Sequence, residues 1–127
     1  EGMKHDIRVN CLAPSAATGM TDGVLPADVL ASLAPARVSQ GLVALVADDA
    51  PTRMILLAGA GSFESAHITM THGIHVDDTP GAAEAVRSRM DQVQARGREV
   101  VPASGWEQYK HELAKAGLLA TDTASAA

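Results

Sequence analysis

The sequence predicts an α/β fold in which two parallel strands are joined by a helix. Residues 7–12 (Ile-Arg-Val-Asn-Cys-Leu) alternate in part and carry two β-branched side chains, which reads as a strand ended by Ala13-Pro14. Residues 54–58 (Met-Ile-Leu-Leu-Ala) form a short unbroken apolar run between Pro51 and Gly59, the pattern of a strand covered on both faces in a parallel sheet. A helical pattern lies between them, so strand, helix and strand make one βαβ unit, expected to cross over right-handed.

The remaining elements follow in order. Residues 15–25 are small and polar, with two glycines, and read as a loop. Pro26 can open a short helix at its first position, with Val29, Leu30 and Leu33 on one face, and Pro35 is expected to break it. Ser39 is placed to cap a helix over 40–48, whose dense apolar residues Leu42, Val43, Leu45 and Val46 predict burial. Residues 63–76 are rich in Thr, Ile and His and suit an extended segment. Thr79-Pro80 precedes a helix expected over 80–95, where Ala83, Val86, Met90 and Val93 repeat at helical spacing and Gly97 ends it. An amphipathic helix over about 104–116 carries Trp106, Tyr109 and Leu113 on one side and stops at Gly117. The tail at 118–127 is low in complexity and is expected to be disordered. The expected division is therefore 1–62, 63–117 and 118–127.

Composition narrows the functional classes. Of 127 residues 46 % are hydrophobic, which suits a globular chain, and with only Phe63, Trp106 and Tyr109 as aromatics the core must be aliphatic. The net charge is −5, and ten Lys and Arg are scattered among fifteen acids. Without a cationic stripe, nucleic acid is not an expected partner. No apolar run approaches the roughly 20 residues that span a bilayer, so no membrane partner is expected. The polar start has no leader pattern, and the single cysteine, Cys11, can form no internal disulfide; a cytoplasmic setting is expected.

The strand pattern at 54–58 asks for cover on both faces, and that at 7–12 for neighbours on both edges. Two strands with one crossover helix do not supply them, since small sheets need three or more strands to stand alone. The chain also opens at Glu1 almost directly on a strand pattern. It is therefore expected to be part of a larger domain, with the missing strands upstream.

The most specific stretch is Ile7-Arg-Val-Asn-Cys-Leu-Ala-Pro-Ser-Ala-Ala-Thr-Gly-Met-Thr21. It resembles the segment around the sixth strand of short-chain dehydrogenases/reductases, Val-Asn-x-(Ile/Leu)-x-Pro-Gly followed closely by a Thr or Ser. Val9, Asn10, Leu12 and Pro14 match; Ser15 stands where Gly is usual. Thr18 is one position early for the commonest form. It suits the shorter variant of the hydroxyacyl-CoA dehydrogenase part of peroxisomal multifunctional enzyme type 2 and its bacterial relatives. The resemblance covers residues 1–62 well and extends more loosely to about 116. It implies the carboxyl-terminal portion of a doubly wound, Rossmann-type parallel sheet with a helical extension. It also implies NAD or NADP as cofactor of the complete domain, with Pro14, Ser15, Ala16 and Thr18 on its nicotinamide side. Met20, Val24, Leu25, Val29 and Leu33 would be an apolar wall of the substrate pocket.

Three other features have ordinary readings. Gly59-Ala-Gly61 lacks the third glycine of a dinucleotide loop, because Ile55 stands there, and reads as a tight turn. Tyr109 has Leu113, not Lys, four residues on, and Lys110 diverges from it by about 100° on a helix; it is expected to pack beside Trp106. The family's catalytic Tyr, Lys and Ser have no counterpart here. His67, His72 and His75 alternate in direction over about 27 Å of strand, so solvated or hydrogen-bonded histidines are expected and no metal.

The functional expectation is a portion of an NAD(P)-dependent oxidoreductase acting on a hydroxyl/carbonyl pair, of 3-hydroxyacyl-CoA type by the branch resemblance, and inactive alone. Its expected partners are a small-molecule substrate such as an acyl-CoA, and either the missing amino-terminal half or further copies of itself. The alternative is a non-catalytic remnant or interaction subunit that pairs through its sheet edge.

Overall fold

The computed structural model describes residues 2–119; Glu1 and residues 120–127 of the tail expected over 118–127 lie outside them. The chain divides into two compact units, with the boundary between His67 and Ile68.

The first unit is a three-stranded sheet. β1 (Cys11–Ser15) and β2 (Ile55–Gly59) pair in parallel, Cys11 opposite Ile55 through Ser15 opposite Gly59. β3 (Ser62–Ala66) returns antiparallel along β2, giving the order β1-β2-β3. A neighbour for β2 thus comes from within the chain, from part of the stretch expected only to be extended. β2 and β3 are joined by Ala60 (φ 52°) and Gly61 (φ 85°), the positive angles a two-residue primed hairpin turn requires.

The first strand begins four residues later than expected. Residues 7–10 still run beside the chain ahead of β2, but side chains make most of the connections. The Val9 N–H donates to Thr52 Oγ1 (3.0 Å) and the Arg53 N–H to the Val9 carbonyl (2.8 Å). Asn10 donates through Nδ2 to the Pro51 carbonyl (2.7 Å) and accepts the Met54 N–H at Oδ1 (3.0 Å). The regular ladder starts only where the Cys11 N–H meets the Met54 carbonyl (2.8 Å). Alternation along a parallel strand then turns Ala13 and Ser15 toward β2 and Leu12 and Pro14 outward. Proline, which has no N–H, therefore sits where β2 asks for none.

α1 (Ala27–Ser32) and α2 (Pro35–Leu45) connect β1 to β2, and α2 packs on both strands. α2 starts five residues before the expected helix. Pro35 opens it rather than breaking the chain, because a first-turn N–H has no helical partner to lose. Ser39 is inside the helix, with its hydroxyl donating to the Pro35 carbonyl (3.3 Å), and caps nothing. Val38 and Gly41 are the buried residues of α2. Leu42, Val43 and Val46, expected to be buried, are exposed on its outer side. Gly41 is needed for the contact: a Cβ there would lie 3.1 Å from Leu56 Cδ2, 3.2 Å from Phe63 Cε1 and 3.4 Å from the Ala58 Cβ. Leu56 and Ala58 are buried beneath it, Ala58 to 2 % exposure, whereas Ile55 and Leu57 on the other face are only half-buried. The double cover expected for this strand is present on one face.

In the second unit Met70 and Val100 form an antiparallel bridge, and the Thr71 hydroxyl donates to the Val93 carbonyl (2.7 Å). The helix expected over 80–95 is two helices, α3 (Ala82–Ser88) and α4 (Met90–Gln94). The break is at Arg89: its Nε takes the Ala85 carbonyl (3.1 Å), so its own N–H turns to Val86 (3.2 Å). α5 (Gly105–Lys115) matches the last expected helix, and Trp106 and Tyr109 meet edge to face at 5.7 Å. His111 Nε2 (2.9 Å) and Lys115 Nζ (2.7 Å) both contact the His72 carbonyl, tying α5 to the 72–74 segment. No helix among the described residues is long and apolar enough to cross a membrane.

Candidate functional site at the carboxyl end of the parallel strands

Ligands of open α/β sheets bind just beyond the carboxyl ends of parallel strands, where the chain turns into loops. In this molecule that place is the end of β1 and β2, at Ser15 and Gly59. The two residues are opposite each other and very close: a Cβ on Gly59 would lie 2.8 Å from the Ser15 Cβ and 3.1 Å from the Ser15 carbonyl oxygen. The side chain that Ser15 adds where glycine is usual is accommodated because its cross-strand neighbour has none.

Beyond Ser15 the loop is pinned at two points. The Ala17 N–H donates to the Leu33 carbonyl (2.8 Å), which fixes the loop to the end of α1. Thr18 starts a turn closed by Thr21: Thr21 Oγ1 accepts the Thr18 N–H (2.9 Å) and donates to the Thr18 carbonyl (2.8 Å). Thr18 Oγ1 accepts the Met20 N–H (3.3 Å), which leaves its own O–H proton available. Between the end of β1 and the first of these pins lies half-buried Ala16, whose N–H and C=O have no hydrogen-bond partner among the described residues. One donor and one acceptor on a single backbone unit are what a primary carboxamide needs, so the loop fits the carboxamide of a nicotinamide, and Thr18 adds a hydroxyl donor two residues on.

The structure thus places Pro14 and Ser15 at the end of β1 and Ala16 and Thr18 on the loop directly beyond it. Of the apolar wall residues, Met20 is 91 % exposed and Val24 71 %. Leu25 and Val29 are also exposed, and Leu33 is half-buried. Three residues that hold the site went unread in the sequence. Thr21 closes the Thr18 turn, and its only signal was a Thr-x-x-Thr spacing. Gly59 makes room for Ser15, a relation invisible without the register. Asn10 belongs to the matched motif, but its work of clamping the chain ahead of β2 follows only from the fold.

The histidines serve separate local contacts. His67 Nε2 meets Ser65 Oγ (3.1 Å), His75 faces Asp77 (3.5 Å), and the His72 and His111 rings meet edge to face at 5.2 Å. No group of three or more His, Cys, Asp or Glu side chains suited to a metal occurs among the described residues.

Parallel strands joined by α2, with a loop at their carboxyl end, define the class as an open α/β fold of the Rossmann type. Comparison with known proteins makes this more particular. The chain is 31 % identical, over 106 residues and 83 % of its length, to a Mycobacterium tuberculosis protein named "Putative short-chain type dehydrogenase/reductase". It matches the full-length peroxisomal multifunctional enzyme type 2 of Drosophila melanogaster with a TM-score of 0.74 and 17 % identity over 89 % of the chain, a likeness of fold. No protein-family model matches. By these likenesses the chain resembles the short-chain dehydrogenases/reductases, and its fold corresponds to the carboxyl-terminal part of a Rossmann-type domain. It spans 34 % of the length of the mycobacterial relative and 21 % of the Drosophila enzyme.

Proposed function

We propose that this chain supplies the nicotinamide-side loop and one wall of the substrate pocket of an NAD(P)-dependent oxidoreductase that interconverts a hydroxyl and a carbonyl. The observation that carries the reading is the unpaired N–H and C=O of Ala16, directly beyond the carboxyl end of β1. The nicotinamide ring supplies hydride transfer when bound. The chain's own residues orient it: Ala16 holds the carboxamide by two backbone bonds, Thr18 donates its hydroxyl, and the Thr21 and Leu33 bonds keep the loop in place. Met20, Val24, Leu25, Val29 and Leu33 are the apolar side of the pocket, which suits the acyl chain of a 3-hydroxyacyl thioester. General acid–base catalysis, worth about 10²–10⁴-fold, comes from a Tyr/Lys pair outside these residues, so the chain by itself is inactive. A cytoplasmic setting suits its lone Cys11 and acidic balance.

Nicotinamide mononucleotide titrated into the chain should shift the amide resonances of Ala16, Ala17 and Thr18, and adenosine monophosphate should leave them in place. Equal shifts from both nucleotides, or shifts confined to other residues, would overturn the assignment. No turnover is expected with NAD or NADP and a 3-hydroxyacyl thioester.

The open side of the sheet favours a second reading, an interaction subunit. Ile55 and Leu57 are half-covered, Cys11 and Ala13 are exposed beside them, and β1 has no strand on its outer edge among the described residues. That edge offers the Leu12 N–H but no N–H from Pro14, which limits strand addition. Light scattering separates the cases: a concentration-independent monomer contradicts pairing through this edge.

A further inference from the structure

We propose that the second unit carries a phosphate-binding site in the small cavity between the 72–74 segment, α4 and the turn that follows α4. The proposal goes beyond the dehydrogenase reading and uses none of its residues. The cavity is about 290 Å³ and is lined by His72, Gly73, Ile74, Gln92, Gly97 and Arg98 among others. None of its lining residues is acidic. Three of them bring side-chain donors from three different stretches of chain: the Arg98 guanidinium, the Gln92 amide and the His72 imidazole. None of these three groups has a hydrogen-bond partner among the described residues.

Positive charge gathers about the 72–74 segment that forms one side of the cavity, and no carboxylate lines it. Lys115 Nζ donates to the His72 carbonyl (2.7 Å) and the Ile74 carbonyl (3.3 Å). It comes this close because Gly73, at φ 61°, has no Cβ: one would lie 3.2 Å from the ammonium. His111 reaches the same His72 carbonyl (2.9 Å). Asp91 of α4 is not among the lining residues, and three glutamates of this unit are engaged elsewhere. Glu99 pairs with Arg96 (2.8 Å), Glu112 accepts from Gln108 (3.0 Å), and Glu107 accepts the Ala103 N–H (2.7 Å). The field at His72 registers this. Its pKa is held below the usual histidine value by burial first and then by Arg98, His111 and Lys115. In a chain of net charge −5 this is a local reversal of sign.

The size and donor set choose the ligand. The cavity lies at or below the lower limit of drug-sized pockets, roughly 300 Å³, so it suits one anionic group rather than a whole metabolite. Arginine gives a planar fork matched to phosphate or carboxylate. Donors from two further directions favour the tetrahedral phosphate, which has oxygens to meet all three.

Histidine ring resonances of the full chain, followed against pH with and without inorganic phosphate at matched ionic strength, test the proposal. Phosphate should raise the His72 pKa in a saturable way, because a bound anion stabilises the imidazolium, and should leave His75 unmoved. Arg98→Gln, an exposed-site change, should weaken phosphate about tenfold or more, as expected for loss of a hydrogen bond to a charged group. Gln92→Ala should weaken it less. The same response to chloride, or phosphate affinity unchanged in Arg98→Gln, would overturn the site. An equal response to acetate would overturn the choice of phosphate.

Discussion

Replacement of Gly59 by Ala tests how the end of the parallel pair is built. The added Cβ would lie 2.8 Å from the Ser15 Cβ and 3.1 Å from the Ser15 carbonyl oxygen. Carbon–carbon contacts rest at about 3.5–4.0 Å, so the first contact is roughly 0.7 Å too short. Both atoms belong to or adjoin the β1 backbone and cannot swing aside as the end of a long side chain can. Overpacking of this kind costs about 1–3 kcal/mol. Against it, alanine in a strand regains about 0.5–1 kcal/mol of the conformational cost of glycine. The net expectation is a loss of about 1–2 kcal/mol for Gly59→Ala. Ser15→Gly removes the opposing Cβ and, in the double variant, leaves only the contact with the carbonyl oxygen. The two substitutions should therefore couple favourably by about 1–2 kcal/mol, within the usual range for residues in contact. Urea unfolding followed by backbone circular dichroism is the assay, because the only tryptophan, Trp106, belongs to the second unit. Additivity within about 0.5 kcal/mol would refute the argument that Gly59 is there to admit Ser15.

Further expectations follow from other contacts. Asn10→Ala should cost about 1–3 kcal/mol by leaving the Met54 N–H without its acceptor, and faster hydrogen exchange at Met54 would confirm it. Asn10→Asp keeps Oδ1 and should cost less. Thr21→Val removes both hydroxyl bonds that close the Thr18 turn, at about 1 kcal/mol, and should weaken nicotinamide mononucleotide binding with the sheet intact, read by amide shifts of β1 and β2. Because the His72 pKa is depressed in the folded chain, the unfolded chain binds more protons between the two pKa values. The second unit should therefore lose stability as pH falls through the ordinary histidine range near 6.5 and below it. His72→Gln should flatten that dependence in phosphate-free buffer, measured as the unfolding midpoint against pH.

Much of the fold was legible because its signals are local. The apolar run 54–58 lies within one residue of β2, since a buried β-branched and leucine-rich stretch between Pro and Gly has few other uses. α5 was legible from the spacing of Trp106, Tyr109 and Leu113. The cofactor-loop candidates came from a motif; two of them end β1 and two stand on the loop beyond it. Elements were misplaced where a side chain competes with the backbone. Asn10 and Thr52 take over pairing ahead of β1 and delay the ladder. Arg89 takes the Ala85 carbonyl and splits one expected helix into two. Pro35 is a breaker or an opener according to what precedes it, and the short α1 made it an opener.

The sequence by itself determined the α/β class, the order of strand, helix and strand, and the chemical character of the loop after Pro14, because hydrophobic period and residue type act over a few neighbouring positions. Tertiary structure alone decided the register that sets Ser15 against Gly59 and the hairpin that gives β2 its second neighbour. It also decided the gathering of His72, Gln92, Arg98 and Lys115 about one short segment. Those relations join residues many positions apart, and pairwise closeness of that kind leaves no periodic trace along the chain. It appears only when backbone hydrogen bonds and steric fit choose one register from several that the same apolar pattern would allow.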